Sequence, residues 1–224
     1  MNTLSRMVLI SALSLSMEAV AAPPLEQGIS AFRGGEQAKA IKILQPLALR
    51  GDVQAQYYLG LSYEYSPEAA KWLRKAAEQG HAKAQYFLYS LYRDGLGVPQ
   101  DPAEASKWLH KAAAGGSDSA QYSLGLESAM AGNHGEAVTW YRRAAAQGHD
   151  NAQLRLAQLY RDGQGVERDF VRAYMWLQLA AEAGNPTAKE ESAFAEKQAL
   201  TPQEVTQGRA RAQRCKTSAF KHCD

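Results

Sequence analysis

The sequence predicts an all-α protein, an α/α solenoid of tandem helix pairs closed by a C-terminal capping helix, and three observations lead there. All four tryptophans share one setting, "AAKWLRKAAEQG", "ASKWLHKAAAGG", "AVTWYRRAAAQG" and "AYMWLQLAAEAG". Each of Trp72, Trp108, Trp140 and Trp176 is followed eight positions later by a glycine: Gly80, Gly116, Gly148 and Gly184. A second pattern begins at a glycine each time, as "GDVQAQYYLG", "GHAKAQYFLY", "GSDSAQYSLG" and "GHDNAQLRLA". Finally, "RDGLGVPQD" from Arg93 returns as "RDGQGVERD" from Arg161, 68 residues on. Fixed spacing in successive copies requires fixed local structure.

The first 24 residues, "MNTLSRMVLISALSLSMEAVAAPP", carry Arg6, an apolar stretch from Met7 to Met17, and then Ala19, Val20 and Ala21. That order predicts a signal peptide over residues 1–21, with Glu18 out of character near the cut. The apolar stretch is too short to remain as a spanning helix, so no stable membrane anchor is expected; an uncleaved N-terminal anchor is the alternative. Residues 25–50 form a degenerate leading repeat, in which "AKAIKILQPLALRG" places Ile43 eight residues before Gly51. Four units follow, 51–79, 80–115, 116–147 and 148–183, and the start of a further helix runs to residue 189.

Within each unit a helix A starts just past the opening glycine. Its Ala and Leu recur four apart, as in Ala55 and Leu59 or Ala84 and Leu88. Helix B carries Ala69, Trp72, Leu73 and Ala76 at i, i+3, i+4 and i+7, which is one stripe, and its terminal glycine supplies a left-handed residue. The tryptophans are therefore structural and belong in the seam between A and B. His81 and His149 share a position with Asp52, Ser117 and Asn185, so they belong to the start of helix A. The other histidines, His110, His134 and His222, show no ligand spacing, and neither a metal site nor a cofactor is expected.

All variation in unit length falls between A and B, and "RDGLGVPQD" is the long form of that connection. A phosphate loop needs a strand before it, and an EF-hand calcium loop needs alternating Asp or Asn with a closing Glu; neither copy complies. The two glycines instead permit positive φ in a tight reversal. Asp101 then caps helix B, with Pro102 first and Glu104 closing a capping box, and Asp169 and Asn133 stand at the same distance before their tryptophans.

The segments A-x-x-x-L-G-x-x-Y, D-G-x-G-V and A-x-x-W-x-x-x-A-A-x-x-G resemble Sel-one-like repeats (SLR), a tetratricopeptide-related module, over about Leu25 to Lys189. The resemblance implies a curved array whose helices A line a concave face, and a role in protein interaction rather than catalysis. Tyr89 departs from the pattern, standing where Gly60, Gly125 and Ala157 are small.

Residues 190–224 hold the capping helix and a cysteine-containing tail. Thr201, Pro202 and Glu204 form a helix start, with Leu200 and Val205 able to staple across it. The basic run Arg209, Arg211, Arg214, Lys216 and Lys221 either complements the helix end or meets an anionic partner. Cys215 and Cys223 are the sole cysteines, and in an exported chain so close a pair is most simply a disulfide.

A net charge of +2 gives no reason to expect nucleic acid as a partner. Ser218 and Lys221 form a lone S-x-x-K without K-T-G or S-D-N, which keeps a cell-wall or β-lactam hydrolase only as the alternative function. Recognition is instead expected at exposed positions that vary between units. Seven residues after the opening glycines stand Tyr58, Phe87, Ser123 and Arg155; three further on stand Leu61, Ser90, Leu126 and Gln158. An aromatic half and a polar half suit a peptide with apolar anchors, so Tyr58, Leu61, Phe87, Leu126, Arg155 and Gln158 are the candidate partner-binding residues. Packing of Tyr58 and Phe87 between neighbouring helices is the competing reading. The expected protein is a periplasmic or secreted monomer, a non-catalytic scaffold or regulator for a protein or peptide partner in the bacterial cell envelope.

Overall fold

The computed structural model describes residues 22–220 and Cys223, so the expected signal peptide, Lys221 and His222 lie outside the described residues. The leading repeat forms α1 (Pro24–Arg33) and α2 (Gln37–Leu49). Helices A and B of the four units are α3 (Val53–Ser62) and α4 (Pro67–Glu78), α5 (Ala82–Asp94) and α6 (Pro102–Ala114), α7 (Asp118–Met130) and α8 (His134–Ala145), and α9 (Asp150–Asp162) and α10 (Phe170–Glu182). Then come α11 (Pro186–Phe194), a π-helical turn over Ala195–Ala199, and α12 (Pro202–Thr217). Each helix from α1 to α11 packs on the next, which gives the all-α solenoid; among the described residues none is long and apolar enough to cross a membrane.

Helix A begins the same way five times. Asp52, His81, Ser117, His149 and Asn185 each accept a hydrogen bond from the backbone N–H three residues on, at Ala55, Ala84, Ala120, Ala152 and Ala188. Both histidines are thus N-caps. The preceding turn reverses through Gly51, Gly80, Gly116, Gly148 and Gly184, with φ from 86° to 101°. A buried glutamine locks that turn in each unit. Gln56, Gln85, Gln121 and Gln153 donate through Nε2 to the carbonyls of Ala48, Ala77, Ala113 and Ala145 at 3.1, 2.9, 3.1 and 3.2 Å. Each of these carbonyls also accepts the N–H of its turn glycine, Gly51, Gly80, Gly116 or Gly148, at 3.0 to 3.2 Å, so the amide fills the second lone pair and contributes about 1 kcal/mol.

The seam between A and B differs in detail from the expected tryptophan register. Trp72, Trp108 and Trp176 are buried, but Trp140 is half-buried and donates through Nε1 to Glu136 at 3.3 Å. The residue after each tryptophan is the uniformly buried one: Leu73, Leu109, Tyr141 and Leu177, with Leu44 after Ile43. Its bulk explains the small position on helix A. A Cβ on Gly60 would lie 2.7 Å from Leu73, and one on Gly125 would lie 2.5 Å from the Tyr141 ring. Tyr89 at the corresponding position is itself buried, with the Arg93 guanidinium 5.1 Å from its ring centroid.

Two further expectations need correction. Asp101 and Asp169 cap their helices, but the Asn133 side chain makes no cap bond. Glu104 does not close a capping box, because its carboxylate takes Lys107 at 2.6 Å and Trp108 Nε1 at 3.0 Å instead.

The long connections do more than turn. Gly95, Gly97, Gly163 and Gly165 all have φ of 68° or 69°, and the second glycine of each pair touches the preceding unit. A Cβ on Gly97 would lie 2.6 Å from the carbonyl oxygens of Tyr65 and Ser66, and one on Gly165 would lie 2.3 Å from the His134 carbonyl carbon. Long loops of the second and fourth units therefore rest on the short connections of the first and third.

Helix α12 doubles back onto α10, where Gly208 allows contact with the Tyr174 ring and Cys215 is fully buried. Its capping box at Thr201 and Glu204 is complete, and Cys215 is bonded to Cys223. The basic run is largely used internally: Arg209 meets Glu196 at 2.9 Å, Lys216 meets Glu182 at 2.5 Å, and Arg211 meets Asp169 at 3.6 Å.

Candidate functional site

Successive helices A meet one another through their side chains and form a continuous row. Phe32 on α1 makes an edge contact with Tyr58 on α3 at 5.5 Å, and Tyr57 on α3 makes one with Phe87 on α5 at 6.0 Å. Between α5 and α7 the hydroxyls of Tyr86 and Ser123 lie 3.4 Å apart. Farther along, Gln158 on α9 donates to Glu191 on α11 at 2.8 Å. The row is aromatic at one end and polar at the other, as the varying positions suggest.

The six predicted residues fall into two groups. Tyr58, Leu61 and Phe87 are half-buried and pack against the core of the first units, with the Tyr58 hydroxyl 3.4 Å from Arg33. Their rings are linked through Tyr57, which stands 5.1 Å from Tyr58 and whose phenol is pushed up to about 12 by burial and by that neighbour. Leu126, Arg155 and Gln158 line a single cavity of about 450 Å³ between α7, α8 and α9, floored by Ala129, Tyr141 and Leu159. Burial also raises the Tyr141 phenol to about 12, so this wall is an uncharged ring at any physiological pH.

Arg155 is one of two exposed cations that line that cavity. Its guanidinium donates to Gln158 Oε1 at 3.2 Å and meets no carboxylate among the described residues. The neighbouring Arg161 is committed: it pairs with Asp162 at 2.8 Å and Glu191 at 3.0 Å. A ligand carboxylate approaching this face would therefore find one unpaired guanidinium beside an apolar floor. Sequence reasoning missed Tyr57 and Tyr141. Both sit one residue from a singled-out position, and burial rather than pattern makes them part of the face.

Ser218 is half-buried at the end of α12, and its hydroxyl donates to the Cys215 carbonyl at 2.8 Å. The lysine of that motif lies outside the described residues. Among the described residues no three His, Cys, Asp or Glu side chains are grouped to hold a metal ion.

A family model described as "Sel1 repeat" matches residues 53–81, 82–117, 118–149 and 150–185. Among solved structures, the chain is similar to a Sel1 repeat protein from Oxalobacter formigenes, with 36% identity and a TM-score of 0.65 over 68% of this chain and 47% of that one. It is also similar to c5321, a protective antigen of uropathogenic Escherichia coli with an SLR fold, at 26% identity and a TM-score of 0.56 over 88% of this chain and 54% of that one. An F-box protein of Arabidopsis thaliana is 35% identical over 69 residues, 29% of this chain and 20% of that protein. The chain thus spans about half the length of these solved relatives.

Proposed function

This chain belongs to the Sel1 repeat family, whose modules are generally non-catalytic scaffolds for protein interaction, and from that premise we propose that it binds an extended segment of a protein partner in the bacterial cell envelope. The segment lies along the row of helices A. Its apolar side chains rest on Tyr58, Leu61 and Phe87, and an acidic group reaches Arg155 beside Leu126 and Gln158. The observation that carries this reading is the exposed, carboxylate-free Arg155 in the cavity that Leu126 and Gln158 also line. A desolvated Arg with an apolar surround is a common hot spot, and its loss can cost about 2 kcal/mol or more of binding.

Export supports the envelope location. The N-terminal order of basic residue, apolar stretch and small residues fits a cleaved signal, and the Cys215–Cys223 disulfide fits an oxidising compartment.

The test is affinity capture from a periplasmic extract with mass spectrometry, followed by direct titration with the captured partner. Arg155→Ala, and separately the pair Tyr58→Ala with Phe87→Ala, should weaken binding at least about tenfold while helical circular dichroism persists. Capture unaffected by either variant would contradict the proposal, as would hydrolysis of a chromogenic β-lactam that Ser218→Ala abolishes.

A further inference from the structure

The chain carries a second concavity where the fourth matched repeat meets the helices that follow it, next to the cavity around Arg155 with Arg161 lining both. It lies between α10, α11 and the π-helical turn, and has a volume of about 350 Å³. Its walls are apolar: Phe170, Ala173, Leu177, Phe194, Ala199 and Leu200. Two of these are conspicuously exposed for phenylalanine, Phe170 at 47% and Phe194 at 59%. Large rings left in water around an apolar hollow of ligand size mark an interaction site more often than chance exposure.

The local backbone explains why the hollow exists. Helix α11 continues past Phe194 into the π-helical turn, and only at Leu200 does the chain turn extended before α12 starts. Helix α12 then packs on α10, held by Gly208 against Tyr174 and by Arg209 on Glu196, and this leaves the groove between α10 and α11 unfilled.

Charge selects the occupant. Glu190 and Glu191 line the hollow, together with Arg161. The positive charge of Arg161 is already offset by Asp162 at 2.8 Å and Glu191 at 3.0 Å, while Glu190 is exposed and has no ion-pair partner among the described residues. The lining thus carries one guanidinium against two carboxylates, and the Arg209–Glu196 pair at the Tyr174 hydroxyl adds no net charge. An anionic amphiphile such as a fatty acid would bring its head group into that field, whereas a basic peptide would be drawn by it.

We infer that the hollow between α10 and α11 is a socket for one large apolar side chain of a partner segment that carries Lys or Arg beside it. The site lies at the α11 end of the row of helices A, beyond the Arg155 cavity, and would give a bound partner a second anchor of opposite charge preference.

The experiment uses the full chain and the peptide acetyl-Gly-Lys-Phe-Lys-Gly-amide, with binding followed by calorimetry at low and high salt. Saturable binding is expected with a Kd below about 1 mM. Replacing the peptide's Phe by Ala, or both Lys by Glu, should weaken it at least about tenfold, and the charge effect should shrink with salt. Ala199→Trp fills the hollow from an exposed position and should abolish binding with the helical spectrum intact, and Glu190→Lys should weaken it. Arg155→Ala should leave it unchanged, which separates failure of the socket from failure of the Arg155 site. The inference is overturned by absence of saturable binding, by binding indifferent to Ala199→Trp, or by equal affinity for the Glu-flanked peptide. Octanoate uptake in preference to the peptide, or a concentration-dependent dimer that Ala199→Trp disperses, would assign the hollow to a lipid or a second copy and overturn it equally.

Discussion

The junction between the first and second repeats and that between the third and fourth are built alike, whereas the junction between the second and third is not. At the two like junctions a tyrosine stacks on the histidine cap of the next unit, Tyr57 on His81 at 4.4 Å and Tyr122 on His149 at 4.7 Å. An arginine of helix B donates to a tyrosine hydroxyl of the following helix A, Arg74 to Tyr92 and Arg142 to Tyr160. A glycine loop also rests on the preceding connection, through Gly97 and Gly165. Across the middle junction the cap is Ser117, which offers no ring, and Ser128 stands where Tyr92 and Tyr160 stand elsewhere. His110 stands where the arginines do and bonds its own helix at Ser106. These side-chain contacts group the array into two-repeat pairs with the 68-residue return of the loop as period, while the buried apolar cluster from Tyr57 to Leu124 runs across the middle junction. The row of helices A crosses that boundary, with Tyr58, Leu61 and Phe87 on one pair and Leu126, Arg155 and Gln158 on the other. A ligand engaging both halves would tie the two pairs together.

The largest expected effect comes from the docked loops. Gly97→Ala adds both left-handed strain and a clash with two carbonyls, and should cost about 3 kcal/mol or more in denaturant titration. Gly95→Ala has nearly the same φ but its nearest neighbour is Gln100 Cβ at 3.4 Å, so it should cost only about 1 to 2 kcal/mol. Equal losses would mean that the loop turns without docking.

Next in size is the bond that staples each pair. A double-mutant cycle of Arg74→Met with Tyr92→Phe should give a coupling of about 1 kcal/mol. A cycle of Tyr86→Phe with Ser123→Ala across the middle junction should stay below about 0.5 kcal/mol, since its hydroxyls are 3.4 Å apart. Comparable couplings would erase the distinction between the junctions.

A stabilising change follows from the same comparison. In the first and third units Gln79 and Gln147 donate to the locking amides Gln56 and Gln121 at 2.7 and 2.9 Å. In the second and fourth units that position holds Gly115 and Ala183, and the oxygens of Gln85 and Gln153 are buried without a partner. Ala183→Gln supplies the missing donor from a position that already has a Cβ, and should raise stability by about 0.5 to 1 kcal/mol. No gain in the denaturation midpoint would show that Gln153 is satisfied some other way.

The smallest effect is a pH dependence at the first like junction. Burial holds His81 below its ordinary value of 6.5, and as a cap its Nδ1 must accept from Ala84 at 3.1 Å. Between the folded value and 6.5 the unfolded chain binds more protons than the folded one, so stability rises with pH across that window and falls as pH drops through it. His81→Asn keeps a cap and removes the titration, so the loss of Tm between about pH 7.5 and pH 5 should be smaller in the variant than in the parent. An unchanged pH profile would remove His81 as its source.

The helices, their glycine ends and the shared cap position were legible in the sequence because each repeats at fixed spacing with its chemistry on display. Glu104 shows where that logic stops: a capping-box spacing fits, but Trp108 Nε1 and Lys107 compete for the same carboxylate and win. Trp140 shows a second limit. Its letter matches the other units, yet Tyr141 beside it fills the seam over Gly125, which a pattern of identities does not reveal. The locking glutamines were visible in every copy as the residue after the helix A alanine, but their role needs the carbonyl eight residues earlier in space. The candidate face was read as two halves from varying positions, while its division by a junction depends on contacts between units.

Native-state hydrogen exchange with rising denaturant tests the paired array most directly. The account predicts two exchange isotherms, one for the amides of α3 to α6 and one for those of α7 to α10, with the boundary at Gly115 and Gly116. A single isotherm across all four repeats, or a boundary inside a pair between α4 and α5, would contradict it.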